Sequence, residues 1–68
     1  MRDQLGLTFE QAIAALPDEL RTAIMLRELE GLSYEEIAQA MDCPVGTVRS
    51  RIFRARESID ASIRHLVD

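Results

Sequence analysis

Sixty-eight residues that include one cysteine, one histidine, three aromatics and no tryptophan leave few chemistries open. Cys43 has no second cysteine with which to close an internal disulfide, and His65 lies far along the chain from it, so no metal-ligand cluster forms. Cys43 reads as a small, half-buried turn residue. No apolar run approaches the roughly 20 residues needed to span a bilayer, and the N-terminus lacks a charged-then-apolar leader pattern. The expectation is a cytoplasmic protein with no membrane partner. Two prolines and three glycines, set against 47% hydrophobic residues, point to a helical domain rather than a disordered or strand-rich one. Catalytic groupings are missing as well. There is no nucleophile–base pair and no phosphate loop, and the adjacent carboxylates Glu35 and Glu36 point to different faces of a helix. No catalytic residue, metal or cofactor is expected, and the chain does not read as an enzyme.

A chain this short makes one small domain. Such a domain buries only about 60% of the surface that its unfolded chain exposes, which makes it marginal in stability. The net charge of −4 runs against a nucleic-acid binder, but its distribution does not. Residues 1–43 hold three arginines against nine acids, whereas residues 44–68 hold five arginines against three acids. From Val45 to Arg56 there is no acid at all. One element facing an anion, on a body kept soluble by its acids, produces that asymmetry.

The pattern predicts an all-α fold with four helices, at about residues 8–16, 17–30, 34–41 and 44–66. Residues 1–7 show no clear periodicity and read as a linker remnant or an artificial start, with the domain proper at 8–68. Thr8 has Gln11 three residues on, the spacing of a capping box, and Phe9, Ile13 and Leu16 recur at helical intervals. Pro17 ends that helix and starts the next, with Asp18 and Glu19 complementing the positive end of the second helix dipole. The second helix carries Leu20, Ala23, Ile24, Met25, Leu26 and Leu29, more than one stripe, which predicts a central helix packed from two sides. Gly31 supplies a left-handed end. Ser33 and Glu36 form a full capping box for the third helix, whose Tyr34, Ile37, Ala38 and Met41 make a single stripe.

A short helix, a three- or four-residue turn and a longer arginine-bearing helix together read as a helix-turn-helix, whose second helix enters a major groove. On that last helix Val48, Ile52, Ala55 and Ile59 form an apolar stripe. Ser50 and Arg54 point away from it with Phe53, Gly46 and Thr47 beside them, and Arg49 and Arg51 flank the stripe. The wheel therefore nominates Arg49, Ser50, Phe53 and Arg54 as base-facing, and Thr47, Arg51 and Arg56 as phosphate contacts. The chemistry fits: arginine donates twice to a guanine, serine donates or accepts at either kind of base pair, and Phe53 offers an apolar contact to a thymine methyl. Phosphate contacts fix register without reading sequence. Arg56 also lies near the apolar stripe, where it can snorkel or pair with an acid such as Asp60, one turn on. Tyr34 reads as packing beside the fourth helix.

The run from Leu16 to Ile59, LPDELRTAIMLRELEGLSYEEIAQAMDCPVGTVRSRIFRARESI, resembles region 4 of bacterial extracytoplasmic-function sigma factors of the sigma-E type. Its most specific parts are LPxxLR before the second helix, GLSYEEIA across the third and PVGTVRSRIFRAR in the fourth; Pro44 stands where many relatives carry a capping serine. The resemblance implies a winged-helix-like fold without the wing. It also implies the C-terminal domain of an alternative sigma factor that reads the minus-35 promoter element within RNA polymerase, with region 2 absent from this chain. The implied partners are promoter DNA, the flap of the polymerase beta subunit and an anti-sigma factor, the isolated domain being a monomer. The same base-facing set, Arg49, Ser50, Phe53 and Arg54, follows from the resemblance. Two other readings remain open: the output domain of a response regulator, and a protein-docking module that does not read DNA. SRIFRAR and the LPxxLR lead-in favour the sigma reading.

Overall fold

The computed structural model describes the backbone of residues 10–67 and the side chains of residues 10–62. The described residues are helical with short connections: α1 at residues 10–14, α2 at Asp18–Glu28, α3 at Tyr34–Met41 and α4 at Val45–Val67. No strand occurs among them. The expected cap at Thr8 and the apolar contribution of Phe9 lie outside the described residues.

Pro17 separates α1 from α2 because it has no amide to donate and disfavours helical backbone at the residue before it. It serves as the N-cap of α2 at φ −55° and ψ 150°, so the helix begins at Asp18 and not at the proline itself. Arg21, one turn into α2, reaches back across this junction. Its Nη1 donates to Ala14 O and to Leu16 O, each at 3.0 Å, and its Nη2 pairs with Asp18. Carbonyls at a helix end have no intrahelical donor, and Arg21 satisfies two in this region while fixing the angle at which α2 leaves. This is a physical reason for an arginine at the end of LPxxLR.

α2 stops at Glu28, two residues short of the expected end, and the chain turns back through Gly31 at φ +71°. A Cβ there would meet nothing within 4 Å, so backbone conformation and not space calls for glycine. The turn lets the Leu32 amide donate to Leu26 O at 3.2 Å. Both halves of the expected capping box are formed at α3. Ser33 Oγ accepts from the Glu36 amide at 3.1 Å, and Glu36 Oε1 accepts from the Ser33 amide at 2.8 Å. Asp42 ends α3 in the left-handed region at φ 56°, which aspartate tolerates better than most residues, and Cys43 N donates to Ala38 O at 3.0 Å. Residues 42–44 are the whole connection to α4, within the length expected for the turn of a helix-turn-helix.

The core takes Ala12 and Leu16 from α1 and its exit, Ala23 and Ile24 from α2, Ile37 and Ala38 from α3, and Val48, Ile52, Ala55 and Ile59 from α4. Each of those α4 residues lies in the predicted apolar stripe. Alanine at buried positions of α2, α3 and α4 keeps the helix axes close. The expectation of a central α2 does not hold. Only Ala23 and Ile24 of α2 are buried, while Met25 is 39% and Leu29 72% exposed. The central element is α4, which packs extensively on both α2 and α3. Apolar content predicted two covered faces for α2, but no described element covers the second.

Candidate nucleic-acid interface

Helical periodicity turns the arginines of α4 outward as a consequence of turning Val48, Ile52 and Ala55 inward. All three of those side chains are essentially inaccessible to solvent, so the rotation of α4 about its own axis is set by the core. Arg49, Ser50, Phe53 and Arg54 are then exposed, as the wheel requires. They border three different neighbourhoods of the domain.

Ser50 and Arg54, one turn apart, share a shallow cavity of about 550 Å³ with Thr47, Arg51, Gly46 and Pro44 of the turn and α4, and with Glu19 and Leu20 of α2. Phe53, 62% exposed, lines a different and more apolar groove of about 570 Å³ with Met25, Leu29, Ile24, Ile13 and Ile59. Arg56, Glu28, Glu57 and Asp60 form its polar margin. Arg49 turns to a third neighbour: its guanidinium carbon lies 5.8 Å from the centre of the Tyr34 ring, over which Arg27 also lies at 5.2 Å. Tyr34 thus packs beside α4, and Cys43 is half-buried in the turn, both as expected.

The nominated phosphate contacts divide as well. Thr47 is half-buried. Arg51 is turned back toward the domain, with Nη1 3.7 Å from Cys43 Sγ and 4.0 Å from Met41 Sδ, and Nη2 3.9 Å from Glu19 Oε1. Arg56 Nη2 lies 2.6 Å from Glu28 Oε2 of α2. Each of these arginines would have to share or leave its acid to meet an anion. Arg27, Arg49 and Arg54 enter no ion pair among the described residues. Arg27 was not nominated from the sequence. It sits 22 positions before Arg49, and no local spacing announces that the two meet over one ring.

The arrangement suits attraction of an anion along α4. No described helix is long and apolar enough to cross a membrane, and no group of three or more metal-ligating side chains occurs among the described residues.

Comparison with known proteins matches residues 6–59 to the family of sigma-70, region 4. The chain is 61% identical over 67 residues to the RNA polymerase sigma-H factor of Pseudomonas aeruginosa, and 68% identical over 67 residues to the ECF RNA polymerase sigma-E factors of Escherichia coli K12 and Salmonella typhimurium LT2. Each of these alignments takes in 98% of this chain and 35% of the relative. The chain therefore spans about a third of the length of the curated relatives it matches.

Proposed function

The chain belongs to the sigma-70 region 4 family, and from that membership we propose that it is the promoter-reading domain of an alternative sigma factor, binding the minus-35 element and directing transcription initiation by RNA polymerase. The observation that carries this reading is the placement of Arg49, Ser50 and Arg54 on the solvent side of a helix whose opposite side is locked in the core. A rigid helix that presents unpaired arginines and a hydroxyl is suited to a major groove, where arginine reads guanine and serine serves either pair. Arg51, Arg56 and Thr47 serve the backbone, the two arginines after yielding their acids. The acids of residues 10–43 keep the rest of the domain off the duplex.

RNA polymerase is the second partner in this reading. The groove of Met25, Leu29 and Phe53 leaves apolar surface open on the domain, which supports docking of a protein such as the beta-subunit flap or an anti-sigma factor. Selection of duplexes from a randomised pool by this chain, followed by transcription from the recovered promoters with polymerase and the full-length sigma factor, tests the proposal. A recovered motif that supports initiation only when placed near position minus 35 is expected. Recovery of no motif, or of one that works without regard to position, overturns it.

A further inference from the structure

Tyr34 opens α3, and its half-buried ring stands at the meeting of three helices. Arg27 comes to it from α2 with its guanidinium carbon 5.2 Å from the ring centre, and Arg49 from α4 at 5.8 Å. Both distances are within the range at which a guanidinium is attracted to the negative face of an aromatic ring. The ring itself is held. The capping box of Ser33 and Glu36 fixes the first turn of α3 on which Tyr34 sits, and Arg27 is tethered because its Nη1 donates to Leu32 O at 2.8 Å. Arg49 has no such tether of its own, and among the described residues it enters no ion pair.

We propose that Tyr34 is a positioning residue for Arg49, its ring holding the guanidinium in the orientation that meets DNA. This rests on the DNA-reading role given to α4 above. An exposed arginine samples many rotamers, and ordering it on binding costs entropy that a pre-placed side chain has already lost. An aromatic ring restrains the guanidinium without neutralising it, which a carboxylate at the same place would do. A guanidinium drawn to a ring through its own plane keeps its edge N–H donors available. Arg49 is thereby distinguished from Arg51 and Arg56, each of which lies within ion-pair distance of an acid of α2, at 3.9 and 2.6 Å.

The test is a double-mutant cycle on the 68-residue chain, titrated with a duplex that the chain has itself selected, at about 50 mM salt, where phosphate attraction keeps weak binding measurable. Circular dichroism first fixes a temperature at which every variant is folded. Tyr34→Leu is expected to weaken binding about two- to fivefold, the change that corresponds to one exposed cation–π contact. Tyr34→Phe, which keeps the ring, is expected to bind as the parent does. In the Arg49→Ala background Tyr34→Leu is expected to cause no further loss. A loss that persists in full without Arg49, or parental binding by Tyr34→Leu, overturns the proposal. Loss on Arg54→Ala but none on Arg49→Ala overturns it while leaving DNA reading by α4 intact. No loss on either change overturns the DNA-reading role itself.

Discussion

Arg56 and Glu28, 28 positions apart in the chain, meet at 2.6 Å across the α2–α4 interface, each side chain about half exposed. The pair ties the middle of α4 to the last turn of α2, and it occupies an arginine that the helical wheel assigns to phosphate. An ion pair this accessible is worth about 0–1 kcal/mol, because solvent screens it and two long side chains must be ordered to make it. That is small compared with a charge-assisted contact to a DNA phosphate. On the function proposed above, the pair opens when a duplex arrives.

Glu28→Gln is therefore expected to change stability by less than about 1 kcal/mol and to tighten DNA binding, with the slope of log K against log salt steeper by about 1. Titrations at several salt concentrations measure this. The change in slope should vanish in an Arg56→Ala background; if it does not, the gain comes from the lost acid alone and Arg56 is no phosphate contact.

Arg54 enters no ion pair among the described residues and stands with Ser50 over the cavity at the start of α4. Arg54→Ala is expected to cost about 1–3 kcal/mol on a selected site and to relax base preference at one position of it. Binding to a panel of single-base variants of that site checks the second half. A uniform loss across the panel would reassign Arg54 to the backbone.

Ile52 is 1% exposed and Arg49 lies outside the core. Ile52→Ala should destabilise the domain by about 2–5 kcal/mol, a large share of what so small a fold possesses. Arg49→Ala should leave the melting temperature nearly unchanged while weakening DNA binding. Thermal melts of the two variants with the parent decide the matter, and the reverse order would mean that α4 is rotated about its axis.

The free domain is expected to bind a promoter duplex with a micromolar or weaker dissociation constant at about 150 mM salt. One recognition helix buries only on the order of 600–1,000 Å², and the nine acids of residues 1–43 oppose approach of a polyanion. Covalent attachment to the polymerase flap should raise the apparent affinity by effective concentration. Fluorescence anisotropy with and without the flap attached measures both. Nanomolar, sequence-specific binding by the free domain would identify a self-sufficient regulator instead.

Where an outcome depends on neighbours within one turn of helix, it was legible in the sequence. The buried stripe of Val48, Ile52, Ala55 and Ile59 follows from a 3.6-residue period, and the Ser33–Glu36 capping box from a spacing of three. Together with the family motifs, those features determined the helix-turn-helix and which side of α4 faces out. They did not determine which helix is central, because an apolar residue predicts only that burial is favourable. Whether Met25 and Leu29 are covered depends on what packs beside them, and in the tertiary structure both stay exposed. Nor did they separate free arginines from engaged ones. Arg51 and Arg56 meet acids of α2, while Arg27 and Arg49 meet over Tyr34, through contacts between residues 7 to 32 positions apart that no periodicity encodes. Charge in the sequence counts what a helix carries; only the packing of α2 and α3 against α4 decides how much of it is left for a partner.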